Sequence, residues 1–143
     1  MREILFKAKR IDNGEWIEGN LLNLDSDSGY YYIVPTYETA STLPIKSLIL
    51  DRMKLVDPET VCQFTGLTDK NGKKIWENNV VWLVYDGKEH IYQIVWDNSE
   101  LDFKATNGEE NYRSNFEYLL CCDEIEVIGN IFDNPELLQE KRR

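Results

Sequence analysis

Three thiols and one imidazole are the side chains best suited to nucleophilic or metal chemistry in this sequence. They are Cys62, the adjacent pair Cys121 and Cys122, and His90. A structural zinc site takes four Cys or His ligands, and the sequence has no C-x-x-C and a single histidine. The cysteine count is odd, and neighbouring cysteines rarely bridge each other, so a disulfide framework is not expected. A cysteine nucleophile needs a base and a stabilised thiolate. Cys121 and Cys122 are followed instead by Asp123 and Glu124, whose charges disfavour a thiolate. Cys62 lies in an apolar run and reads as core. His90 follows the charged turn "DGKEH" and reads as a strand-edge residue. The 26 acidic residues include no pair in a distinctive setting for acid-base work. The expectation is therefore a protein that is not an enzyme, with no catalytic, metal-ligating or cofactor-binding residue and no cofactor. Its binding residues are left unassigned.

A second stretch invites a chemical reading. "LTDKNGKKIWENNVV", residues 67–81, has an echo in "RIDNGEWIEGNLL", residues 10–22. Backbone amides at such a turn can cradle an anion. But there is no G-x-x-x-x-G-K-[ST] and no strand-loop-helix context around it. The phrase reads better as turn chemistry. Asn13-Gly14 and Asn71-Gly72 supply the left-handed backbone angles that tight hairpins need. The two phrases are two uses of one turn solution, with internal duplication the lesser reading.

Turns of this kind must join strands. The spacing predicts strands over 3–9, 16–22 and 30–34, then over 61–67, 80–85, 90–96 and 125–132. A weak strand is expected through 101–105, and a strand or helical turn at "FEYLLCC". "VVWLVY" is apolar on both faces, as in a central strand. Gly129 marks a bulge or bend in the last strand. Residues 43–56 fit helical and strand periodicity almost equally; two short strands broken at Asp51-Arg52 are expected. The tail "NPELLQEKRR" reads as a short helix, with Asn134 as N-cap, Pro135 at the first position and Lys141, Arg142 and Arg143 at the end.

Together these elements predict a mainly-β fold of two small β units and a short C-terminal helix. The first spans residues 1–57. The second, 58–143, is an SH3-like barrel or half-barrel. The 42% hydrophobic residues suffice for a core. A formal net charge of −10 disfavours non-specific binding to nucleic acid or anionic membrane. The start "MREILFKAKR" is too short in its apolar part for a signal peptide, and no apolar run approaches the ~20 residues that cross a bilayer. A soluble, cytoplasmic protein is expected.

The phrase "DPETVCQFTGLTDKNGKKIWENNVV", residues 57–81, resembles the signature of the YopX-type phage and prophage proteins. So do "EVIGNIFDNPELL", residues 126–138, and the opening "MREILFKAKR". That family usually has Glu-Gly-Asp after the Ile-aromatic pair, where this chain has Glu77, Asn78 and Asn79; turn chemistry accommodates the change. The resemblance implies a small, mainly-β, phage-encoded protein acting in the bacterial host's cytoplasm. It supplies no catalytic residue to carry over.

What remains is an aromatic surplus. Trp16, Tyr30, Tyr31, Tyr32, Trp76, Trp82, Tyr85, Tyr92 and Trp96 exceed what a core of this size must hold, so some should be exposed. Exposed aromatics suggest a protein interface, with a second copy or with a host or phage protein. A non-enzymatic, protein-binding, self-associating module is the expectation. The alternative is a nucleic-acid-binding or DNA-mimicking regulator, motivated by the acidity.

Overall fold

The computed structural model describes residues 2–24, 27, 29–36, 44–107 and 116–138. Eleven strands dominate them: β1 (Phe6–Lys9), β2 (Trp16–Leu22), β3 (Tyr31–Pro35), β4 (Lys54–Val56), β5 (Cys62–Thr68), β6 (Lys74–Trp76), β7 (Asn79–Tyr85), β8 (Lys88–Asp97), β9 (Asp102–Thr106), β10 (Phe116–Tyr118) and β11 (Glu124–Asn130). One helix, α1 (Ile45–Leu50), precedes β4. Among the described residues no helix is long and apolar enough to cross a membrane.

The chain forms two units, Met1–Phe64 and Thr65–Arg143, and the division along the chain falls within β5. The sequence places this division at 57/58, in the Asp57-Pro58 turn. That turn is bonded to β1: Asp57 N donates to Lys9 O at 2.8 Å, and Lys9 N donates to Thr60 Oγ1 at 2.8 Å.

In the first unit every strand pairing is antiparallel, in the order β4-β3-β2-β1-β5. Ala8, Ile33 and Val56 form its buried core, with Phe6, Ile17 and Leu21 packed around them. Just before β1, Leu5 is buried and Ile4 exposed. Residues 45–50 are helical, which corrects the strand expected there. Pro44 sets an extended entry into α1 (φ −58°, ψ 141°), and Met53 N donates to Ile49 O at 2.9 Å, extending the helical bonding through the Asp51-Arg52 break. A six-residue helix is too short for its periodicity to be separable from strand alternation. The second half of the expectation, a strand after Asp51-Arg52, is β4.

The second unit carries a five-stranded antiparallel sheet, ordered β10-β9-β8-β7-β11. Val81, Leu83, Tyr92, Ile94, Ala105 and Ile125 line one face and pack with Ile75 of β6 and with Leu119. β7 is flanked on both sides, by β8 and β11, as its continuous apolar run requires. Asp86 (φ 50°) and Gly87 (φ 73°) make the two-residue turn between Tyr85 and Lys88. The β11 register shifts between Val127 and Gly129, the bulge expected at that glycine. The sheet is open, with β10 and β11 as its edges, which corrects the closed form of the expected barrel. Alternation fixes which face is buried, whereas closure depends on inter-strand stagger.

Residues 136–138 are helical. Asn134 does not cap them through its side chain. Its Oδ1 turns back to accept Asn130 N at 3.3 Å, while its backbone carbonyl accepts Leu137 N at 3.2 Å. The basic end, Lys141 to Arg143, lies outside the described residues.

Candidate functional site

The repeated Asn-Gly phrase is resolved by its hydrogen bonds. In the first copy Arg10 N donates to Glu15 O and Gly14 N to Arg10 O, both at 2.9 Å. In the second, Asp69 N donates to Lys73 O at 2.7 Å and Gly72 N to Asp69 O at 3.0 Å. Gly14 and Gly72 both have positive φ, at 73° and 80°. Both turns therefore use a left-handed glycine, but the first loop is one residue longer.

The second turn has a further task. Asp69 is buried, at 7% exposure. Its Oδ1 accepts the Asn71 and Lys73 amides, each at 2.9 Å, and its Oδ2 accepts Val127 N at 2.9 Å. Lys70 N donates to Ile125 O at 3.0 Å. The turn thus bonds to the outer edge of β11, an edge strand that would otherwise offer its amides and carbonyls to another chain. Burial pushes the Asp69 carboxyl up, and the amides of Val127, Lys73 and Asn71 outweigh it, holding it below its ordinary value. Lys70 closes the arrangement, with Nζ 4.8 Å from the Trp82 ring centre and 3.6 Å from Glu126 Oε2.

A second device lies where β8 turns into β9. Lys104 in β9 is 4% exposed, and its ammonium meets Asp97 Oδ2 at 2.7 Å and Glu100 Oε1 at 2.9 Å. The hydrogen bond to Asp97 is the main reason the Lys104 ammonium is held well above the usual lysine range. The same bond holds the Asp97 carboxyl well below its own. This cation ties down both sides of the β8–β9 loop. At the loop's end Leu101 stands 72% exposed in left-handed backbone, φ 55°, a conformation that costs a leucine energy.

Close by, a 3-10 turn at Leu119–Cys121 carries Leu120, the most exposed large apolar residue among those described, at 83%. It stands between two adjoining clefts. One, of about 380 Å³, is walled by Leu67, Phe103 and Leu119, with Asp102 and Cys121 at its margin. The other, of about 310 Å³, reaches Cys122, Asp123 and Glu124. Phe103 also packs edge-on against Trp96, with ring centres 4.9 Å apart, and Trp96 is itself exposed. Apolar surface therefore runs from Trp96 across Phe103 to Leu120.

Cys62 is buried, its thiol donating to Thr60 O at 3.2 Å. His90 sits within β8 with its ring against Tyr92, centres 4.9 Å apart. Cys121 is exposed and Cys122 half-buried. Among the described residues no group of three His, Cys, Asp or Glu side chains is placed to hold a metal ion. The aromatic surplus is divided: Trp76 and Tyr92 are buried, while Tyr30, Tyr85 and Trp96 are exposed. Trp16 is covered by Lys7 and Lys9, whose ammonium groups lie 4.7 and 5.5 Å from its ring centre.

The sequence matches the family described as YopX protein over residues 5–139. The chain belongs to the YopX family. Its fold is similar to the crystal structure of protein EF1440 from Enterococcus faecalis, with a TM-score of 0.50 and 23% sequence identity. That match covers 96% of this chain and 99% of the other. No curated protein matches the sequence.

YopX membership makes the Glu77-Asn78-Asn79 departure informative. Asn78 has φ 70°, the region that glycine enters freely and asparagine tolerates best among other residues. It is held by Asn78 N to Ile94 O at 2.8 Å, Ile131 N to Asn78 O at 3.1 Å and Gln93 Nε2 to Asn78 Oδ1 at 3.2 Å. Asn79 Oδ1 accepts Trp76 N at 2.8 Å, a bond an aspartate oxygen would make equally well. Asn78 and Asn79 in this YopX chain thus build the turn between β6 and β7, as the turn reading of this segment expects. Replacing Asn78 with Ala should cost about 1–2 kcal/mol in urea unfolding, and Asn78→Gly clearly less. Equal losses for the two would show that the left-handed angle is not what selects the residue.

Asp69, Lys104 and Leu120 were not singled out by sequence inspection. Asp69 carried a signal, since aspartate three residues before a glycine favours the first position of a type I turn. Lys104 carried only the two carboxylates four and seven positions before it, and Leu120 carried none, because the rest of the chain decides its exposure.

Proposed function

We propose that this YopX protein is a non-enzymatic, protein-binding module that also self-associates. We place it, on the strength of its family resemblance, among phage- or prophage-encoded proteins acting in the bacterial cytoplasm. The observation that carries the binding reading is the exposed apolar surface of the second unit, centred on Leu120 and its two clefts. An 83%-exposed leucine beside apolar hollows gains free energy when covered, about 25 cal/mol for each Å² of apolar surface removed from water. Self-association draws support from the further large apolar side chains exposed in the first unit, among them Ile4, Leu24, Ile45 and Leu50.

Light scattering coupled to size exclusion, at low and high salt, tests self-association. An oligomer that persists in high salt is the expected result, because apolar contacts are not screened. A monomer at every concentration and salt would overturn the self-association while leaving the surface around Leu120 available to a different protein.

A further inference from the structure

We propose that the cleft beside Leu120 receives a segment of another protein that sets an apolar side chain next to lysine or arginine. The inference rests on the protein-binding reading above and names the partner's chemistry. The cleft of about 380 Å³ lies in the size range of built pockets, and its walls are apolar: Leu67, Phe103 and Leu119. Among the described residues, Asp102 is the one charged residue lining it. The adjoining cleft adds Asp123 and Glu124, both exposed. The lysine on that side, Lys70, is already matched by Glu126 and the Trp82 ring. An apolar hollow with a carboxylate rim selects an apolar anchor with cationic flanks.

The wall made by Asp102 and Phe103 is also held in place before any partner arrives. Asp102 and Phe103 directly follow Leu101, and the loop before them is pinned by Lys104 through Asp97 and Glu100. A preformed wall spares the binding surface an ordering cost. The strained backbone at Leu101 keeps a second apolar side chain exposed at the end of the same loop. A second copy is a poorer occupant, since a two-fold contact here would set Asp102, Asp123 and Glu124 against their own counterparts. Nucleic acid meets the same repulsion from its phosphates.

The test uses the full chain as bait for a display library of random short peptides, with the Leu120→Glu variant as counter-bait. Enriched peptides are synthesised and titrated by calorimetry at low and high salt. Peptides pairing an apolar residue with lysine or arginine should emerge. Their affinity should fall about tenfold or more with Leu120→Glu, by a similar factor with Asp102→Lys combined with Asp123→Lys, and again in high salt. These residues are exposed, and circular dichroism verifies that each variant is folded. Leu120-dependent peptides that are acidic or uncharged would overturn the basic partner while leaving protein binding intact. Enrichment that does not depend on Leu120 would overturn both. Loss of peptide binding as the chain dimerises through Leu120 would make a second copy the occupant and overturn the proposal.

Discussion

Asp69→Ala is expected to lower unfolding stability by about 3 kcal/mol, because one substitution removes the acceptor of several backbone amides at once. Asn71 N and Lys73 N lose their turn partner, and Val127 N loses the bond that covers the β11 edge. Asp69→Asn keeps one oxygen for the turn but sets an NH₂ group against either Val127 N or the turn amides, so about 2 kcal/mol is expected. Urea midpoints at neutral pH measure both. The pH dependence follows from the direction of the shift. The folded-state pKa of Asp69 lies below the ordinary 3.8. Its contribution is therefore complete above that value and is lost as the pH falls through the lowered one. The wild-type stability curve should fall towards Asp69→Ala at acid pH, closing the gap seen at neutrality. A gap that stayed constant down to strongly acid pH would mean the carboxylate charge is not what the amides require.

Gly19→Ala should be at least as damaging, at about 3 kcal/mol or more. Gly19 is buried in β2, between Phe6 of β1 and Pro35 of β3. A Cβ built on it overlaps the Val34 carbonyl and the Pro35 Cα, which are backbone atoms with no rotamer to escape into. Strand β3 would have to move away from β2, loosening the layer formed by Ala8, Ile33 and Val56. The neighbouring Asn20 is exposed, so Asn20→Ala provides a control expected within about 0.5 kcal/mol of wild type. If both alanines melted together with wild type, the close approach of β2 and β3 at Gly19 would not be a feature of the protein in solution. Glycine inside a strand often marks such an approach of another backbone, and no feature of "WIEGNLL" alone says which backbone it is.

Sequence by itself determined the elements whose causes are local. Asn-Gly and Asp-Gly placed the hairpin turns, because left-handed angles are a property of one residue. The continuous apolar run "VVWLVY" announced a central strand. Gly129 announced a bulge, and the phrases around residues 57–81 and 126–138 announced the family. Tertiary structure decided what depends on partners far along the chain. It made 45–50 a helix, where six residues could not separate two periodicities. It left the second sheet open, since alternation does not encode stagger. It turned Asp69 into the cover of an edge strand 58 residues away. It left Leu120 outside a core that its neighbour Leu119 enters. The candidate binding surface belongs to this second group. Exposure is a property of what the rest of the chain fails to cover, and no short stretch of sequence contains that information.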